Sequence, residues 1–172
     1  MKNLIIYYSR AGQNYVNGII KNLAKGNSEV AAEFVHKAVG GDIFKIETVK
    51  EYAEDYMICT EQAKRELRNH ARPELKEYLT DISQYDNIFV IGPCWWGTFP
   101  MPMYTQIERL DFGGQKVFLL MTHEGSEMGS CEYEMKKIMK GAAFGKALAV
   151  HGAEALESEK KIAAWAKAVI NQ

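Results

Sequence analysis

Five short apolar runs punctuate the chain: Leu4–Tyr8, Ile43–Ile46, Ile88–Ile91, Val117–Met121 and Ala147–Val150. Polar residues do not alternate within them, and continuous apolarity suits strands covered on both faces. The segments between them carry helical spacing instead. Val30, Ala31, Phe34, Val35 and Ala38 form one apolar stripe, and residues 55–70 hold charges such as Glu61 and Arg65 four apart. Residues 101–110, 132–139 and 158–170 predict three more helices; in the last, Ile162, Trp165, Ala166, Val169 and Ile170 fall on one face. Five strands alternating with five helices predict an α/β fold, a doubly wound parallel sheet with helices on both faces. No repeat, low-complexity tract or Pro/Gly/Ser-rich linker interrupts the pattern, so one domain over residues 1–172 is expected.

Two connections exceed a minimal design. Residues 11–25 separate the first strand from the helix start at Asn27-Ser28, and residues 47–85 separate the second and third strands. Connections of such length are usually functional or disordered. The first lies at the carboxyl end of a strand, the side on which open α/β sheets bind ligands.

Bulk properties narrow the function classes. A formal net charge of −1 argues against nucleic acid as partner, because such binding needs a concentrated basic face. It also gives no polybasic membrane anchor. The first apolar run is too short for a signal core or a membrane span and reads as a buried strand. Cys59, Cys94 and Cys131 stand at no metal-ligand spacing and are odd in number, so reduced thiols in a cytoplasmic protein and no metal site are expected.

The candidate chemistry sits in three loops that follow strands. After the first come Ser9-Arg10 and, beyond the excursion, Gly26-Asn27-Ser28-Glu29 at a helix amino terminus, where free N–H groups make a natural phosphate seat. The alternative is that Asn27 or Ser28 merely caps the helix. Neither a Walker loop nor a Gly-x-Gly-x-x-Gly fingerprint is present. After the third strand comes Pro93-Cys94-Trp95-Trp96-Gly97-Thr98-Phe99-Pro100-Met101-Pro102, a stiff loop whose adjacent indoles suit a flat aromatic ligand. Adjacent loop residues rarely share an environment, so at least one of the two faces something other than core. After the fourth strand comes Thr122-His123-Glu124-Gly125-Ser126-Glu127-Met128-Gly129-Ser130. Its glycines allow close backbone approach, while Thr122 and Ser126 offer polar contacts to a ring edge. The competing reading is a solvated loop with Ser130 capping the next helix and His123 in a structural hydrogen bond.

Phosphate seat, aromatics and a Gly-rich polar loop together fit a phosphorylated flat ring. Taken with Tyr7-Tyr8-Ser9-Arg10, Gly40-Gly41-Asp42-Ile43-Phe44-Lys45-Ile46-Glu47 and Ala71-Arg72-Pro73, these segments resemble the flavodoxin family over essentially the whole chain. Within it they look like a bacterial subgroup with a Trp-Trp-Gly-Thr second loop. The resemblance implies a three-layer sandwich with strand order 2-1-3-4-5 and FMN held non-covalently at the switch point. It also implies that the phosphate loop is split, with Ser9-Arg10 opening it and Gly26-Asn27-Ser28 closing it. The insertion, including Gln13, Asn14 and Tyr15, then returns over the phosphate. An ungapped alternative uses Ser9-Arg10-Ala11-Gly12-Gln13-Asn14.

On this resemblance the cofactor-binding set is Ser9, Arg10, Asn14, Tyr15, Gly26, Asn27, Ser28, Pro93, Cys94, Trp95, Trp96, Gly97, Thr98, Thr122, His123, Glu124, Gly125, Ser126 and Gly129, with no catalytic side chain. Glu124 stands where a small residue is expected, and a carboxylate beside the ring would lower the flavin potential. The near-neutral charge departs from the acidic field with which short flavodoxins steer basic partners. Three roles follow. One is an electron-transfer protein serving a redox partner protein. Another is an NAD(P)H-dependent oxidoreductase acting on quinones or similar small acceptors, where His123 and Tyr15 are the side chains to test. The third is a flavodoxin-fold binding module without FMN.

Overall fold

The computed structural model describes residues 1–172. The elements run β1 (Asn3–Tyr7), β2 (Gly12–Val16), β3 (Ile19–Leu23), α1 (Asn27–Val39), β4 (Asp42–Lys45), α2 (Tyr56–Arg68), β5 (Asn87–Pro93), α3 (Met101–Ile107), β6 (Lys116–His123), α4 (Cys131–Ile138), β7 (Ala143–Phe144), β8 (Leu148–His151) and α5 (Glu159–Ile170), with a 3-10 turn at Gly152–Glu157. All five predicted apolar runs form sheet strands, and all five predicted helices are present. The sheet is parallel, in the order β4-β1-β5-β6-β7, with β8 also pairing β6.

With the β2–β3 hairpin set aside, this is the expected 2-1-3-4-5 path with its last strand in two pieces. β7 pairs with Lys116–Val117 and β8 with Leu120–His123. The break falls near Gly145, where a Cβ would drive into the Phe118 ring.

Alternate residues of the central strands serve opposite faces. Leu4, Ile6, Ile88, Val90, Val117, Leu119 and Met121 point into a layer closed by α3 and α4. Ile5, Tyr7, Phe89, Ile91, Phe118 and Leu120 point into the layer under α1 and α5. Each fully buried Ile, Leu or Phe of this kind contributes about 1.5–3 kcal/mol. The core therefore holds β1, β5 and β6 rigid, and the loops at their carboxyl ends inherit that rigidity. β4 corrects the expectation of two-sided cover: it is an edge strand, and Ile43 is 43% exposed.

The excursion at 11–25 is a β-hairpin, not an irregular loop. Gly12–Val16 pairs antiparallel with Ile19–Leu23 across Asn17-Gly18, whose φ angles of 52° and 91° match the mirror-image turn that Asn-Gly favours. The longer excursion contains α2 and then returns alongside the exit of β4, where Val49 and Lys76 donate to the carbonyls of Glu74 and Glu47. Arg72 of the Ala71-Arg72-Pro73 segment forks onto Glu108 at 2.6 and 2.7 Å, so it braces this return.

Candidate functional site

The hairpin is stitched down at both ends. At its base, Arg10 donates to the carbonyls of Gln13, Ala53 and Glu54, and Gln13 accepts from the Tyr56 N–H at the start of α2. At its tip, the Asn17 N–H donates to Glu124 Oε2 at 3.0 Å. The hairpin thus straps the sheet's carboxyl rim from α2 to the loop after β6. Beneath it lie two adjoining lobes.

The narrow lobe has a volume of about 120 Å³ and is mostly polar. Ser9, Arg10, Asn14, Tyr15, Asn27, Ser28, Pro93, Cys94, Trp95, Thr122, His123 and Glu124 line it, together with Tyr56 and Gly152. α1 begins here with Gly26 as N-cap and no side-chain cap bond, so neither Asn27 nor Ser28 caps it. Ser28 instead shares a buried 2.7 Å hydrogen bond with Thr122, and Ser9 Oγ accepts the Glu29 N–H from across the gap. That leaves the N–H groups of Asn27 and Ser28 without a protein acceptor at the positive end of a 13-residue helix.

Gly26 explains why the two halves of the first loop close. A Cβ there would drive into Ser9 Oγ and sit 2.7 Å from the Arg10 carbonyl oxygen. Ser9 therefore meets Gly26 across the hairpin, as the split alignment requires, and not Gly12.

The floor of this lobe is equally tight. A Cβ on Gly152 would lie 2.6 Å from Glu124 Oε1 and 2.7 Å from Asn27 Nδ2. Glu124 Oε2 is shared between the Asn17 N–H and His151 Nε2, at 3.0 Å each. A carboxylate only accepts, so Nε2 carries the proton. Glu124 Oε1 is buried without a partner. Helix-end N–H groups, a serine hydroxyl, a bare glycine floor and an orphaned acceptor fit a ligand with both phosphate and hydroxyl groups.

The wide lobe, about 650 Å³, is mainly apolar and falls in the range of small-ligand sites. Tyr15, Ile20, Tyr56, Met57, Cys59, Ala63, Trp95 and Trp96 wall it, with Gly97 and Ser126 at its edge. Tyr15 stacks on Tyr56 at 6.1 Å and 23°. The tryptophans divide as expected. Trp95 packs inward, edge-on to Tyr8 and Tyr52, whereas Trp96 is 49% exposed. Trp96 is pinned by its Nε1–H to the Thr60 carbonyl, under Lys64, with φ at 55°. A bulky residue in that region is strained and is held there by its surroundings.

Four of the expected residues line neither lobe. Gly26 closes the first loop. Thr98 is buried, its hydroxyl 2.7 Å from that of Tyr104, so it anchors the loop from beneath. Gly125 donates its N–H to His123 Nδ1. Gly129 presses on Gly97, where a Cβ would come 2.8 Å from the Gly97 carbonyl carbon; Ser130 takes the N-cap position of α4, as one reading of the loop had it, but spends its N–H and hydroxyl on the Gly97 carbonyl and makes no side-chain cap bond. Glu124 lines the narrow lobe and not the wide one. The α2 wall, with Tyr56, Met57, Cys59 and Ala63, and Gly152 were not anticipated.

Burial favours the neutral forms of Cys59, Cys94 and His123. Burial pushes the Cys94 and Cys59 thiols up, keeping them protonated at neutral pH. Burial, and then the nearby His151, lowers the His123 pKa, and its Nδ1 is committed to Gly125.

The profile described as Flavodoxin matches residues 3–169. No curated protein matches the chain. Among solved structures, candidate flavoproteins from Bacteroides uniformis ATCC 8492 and Bacteroides eggerthii DSM 20697 are each 26% identical with a TM-score of 0.74. The alignment with the first covers 96% of this chain and 97% of that one; with the second it covers 98% of both. A flavoprotein from Lactobacillus acidophilus NCFM, solved in complex with FMN, is 16% identical with a TM-score of 0.63, over 92% of this chain and 98% of that one. Sheet order, rim loops and a match over nearly the whole length agree: the chain belongs to the flavodoxin family.

Proposed function

We propose that this protein binds FMN non-covalently and works as an electron-transfer protein of the flavodoxin type. The observation that carries the reading is the pair of adjoining lobes, one polar at a helix amino terminus and one aromatic, under a single strap. The FMN complex of the Lactobacillus acidophilus flavoprotein, which shares the fold, supports the same cofactor. When bound, FMN supplies one- and two-electron redox chemistry, and the protein supplies binding, orientation and electrostatics. Ser9 and the N–H groups of Asn27 and Ser28 hold the phosphate. Trp95, Trp96, Tyr15 and Tyr56 wall the ring, and Gly97 and Ser126 contact its polar edge.

Tyr15, Ile19, Ile20, Met57, Ile58 and Trp96 are all exposed on the strap, on α2 and on the second loop. This apolar rim is the face offered to a redox partner protein, in place of the acidic field that a net charge of −1 does not provide. The breadth of the wide lobe favours a second reading, an NAD(P)H-dependent oxidoreductase that admits a small acceptor such as a quinone there.

Adding FMN to the purified protein and recording its absorbance and fluorescence tests the cofactor. Quenched flavin fluorescence with a shifted visible band is expected, and free-flavin spectra at every ratio would exclude both readings. Adding NADPH and a quinone to the loaded protein separates them. An electron-transfer protein stays oxidised without a reductase; catalytic NADPH consumption establishes the enzyme.

A further inference from the structure

Glu124 is the one group in the site whose two oxygens have different fates. Oε2 holds the Asn17 N–H at the strap's tip and the His151 N–H, each at 3.0 Å. Oε1 is buried, has no partner, and faces the bare floor of Gly152 in the narrow lobe. A buried carboxylate oxygen left unpaired is costly, and only a donor relieves it. No protein group makes that hydrogen bond. A phosphate dianion has no proton to give, and the ring belongs to the other lobe, which Glu124 does not line. The groups that answer the need are aliphatic hydroxyls, which a ribityl chain carries between its ring and its phosphate.

We infer that Glu124 is a shared latch: Oε1 accepts a hydroxyl of the ligand's polyol chain while Oε2 holds the hairpin strap. The inference rests on the FMN reading for its ligand half. Polyol recognition and strap closure then depend on one carboxylate. A hydroxylated ligand adds a further hold, on Oε1, and thereby tightens the Asn17 contact; a bare ring does not. His151 holds the same Oε2 as the Asn17 N–H, so the latch is oriented before the ligand arrives. Glu124 acts here as a specificity-determining and positioning residue for a phosphorylated polyol-bearing ring.

The test compares lumiflavin, which has neither polyol nor phosphate, with riboflavin, which has the polyol alone, and FMN, which has both. Affinities are read by fluorescence quenching for the wild type, Glu124→Ala and Glu124→Gln. Amide exchange of residues 12–23 is followed with and without riboflavin. Glu124→Ala is expected to weaken riboflavin and FMN about tenfold or more, the scale of a hydrogen bond to a charged group, and to leave lumiflavin unchanged. Strap exchange should accelerate in this variant even without ligand, and riboflavin should slow it only in the wild type. Glu124→Gln, which keeps an acceptor for Asn17, should retain strap protection while weakening riboflavin, so the ligand half stays testable if the Ala variant folds poorly.

Tighter FMN binding in Glu124→Ala with riboflavin unmoved would mean that the carboxylate merely repels phosphate, which overturns the inference and leaves FMN binding intact. Unchanged strap exchange in Glu124→Ala overturns the latch. Failure of the wild type to bind any of the three flavins overturns the FMN reading and the ligand half together.

Discussion

The two lobes are made from different materials. The narrow one shares Tyr15, Tyr56 and Trp95 with its neighbour but adds backbone and short polar groups: the first N–H groups of α1, the Ser9 and Ser28 hydroxyls, and Gly152, whose missing Cβ leaves space. The wide one is side chain: two tyrosines, two tryptophans and the apolar residues of α2, delivered from three separate segments. A wall of backbone has few ways to change without moving the sheet beneath it. A wall of aromatic side chains changes one residue at a time. A phosphate held in the narrow lobe would therefore be tied to the fold, while the extra walls of the wide lobe can change one residue at a time.

That contrast breaks if both lobes respond alike to substitution. The largest effect is expected from Gly26→Ala, whose new methyl meets Ser9 Oγ and the Arg10 carbonyl. Denaturant titration should show a loss of about 1–3 kcal/mol, as for other overpacked sites. FMN titration should show roughly 100-fold weaker binding, equivalent to about 2.7 kcal/mol. An Ala variant that binds FMN like the wild type would remove the backbone argument for the narrow lobe.

Trp96→Ala takes away a wall of the wide lobe and should cost only about three- to tenfold in FMN affinity, the worth of one aromatic contact, with the thermal midpoint nearly unmoved. Comparing it with Trp96→Gly sharpens the point. Because φ is 55° at this position, Gly should be more stable than Ala by about 1 kcal/mol. Equal stability would show that the backbone relaxes once the indole is gone.

The smallest effect concerns His123. Burial, followed by the His151 charge, depresses its pKa below the ordinary 6.5. The unfolded chain then binds the proton more readily than the folded one. Stability contributed by the neutral ring is thus present above 6.5, falls as pH drops through that value, and levels off below the folded pKa. A histidine NMR titration should place the His123 midpoint below 6.5, and His151→Asn should raise it slightly, since burial is the larger cause. A midpoint above that ordinary value would contradict the burial argument.

Much of the frame was legible because it depends on local pattern. The unbroken apolarity of Ile88-Phe89-Val90-Ile91 marks a strand covered on both faces, and the stripe from Val30 to Ala38 marks its own buried face. Such signals need no knowledge of the rest of the chain. The Asn17-Gly18 pair carries a hairpin-turn signal as well, but segment 11–25 lacks the apolar alternation of a packed strand because Ile19 and Ile20 are exposed. Its strands are held by stitches at Arg10, Gln13 and Glu124 instead. The α2 wall escaped because helical spacing reveals which residues share a face and not what that face meets. The hold of Glu124 on the strap escaped for a related reason: its partner Asn17 lies 107 positions away, and only the folded rim brings them together. That Thr98 supports the second loop from beneath was not legible, because its partner Tyr104 sits below it only in the folded chain.

The divided last strand bears on how this molecule behaves in a crowd. Parallel sheets present unpaired N–H and C=O groups along their outer strands, and a continuous outer strand is a template for another chain. Here the β6 side ends in two short pieces separated near Gly145, where the Phe118 ring fills the space. The opposite edge, β4, is four residues long and carries Asp42 and Lys45 at its ends. Neither margin offers an added strand a long ladder, so the sheet guards itself against edge-to-edge association without needing a covering helix.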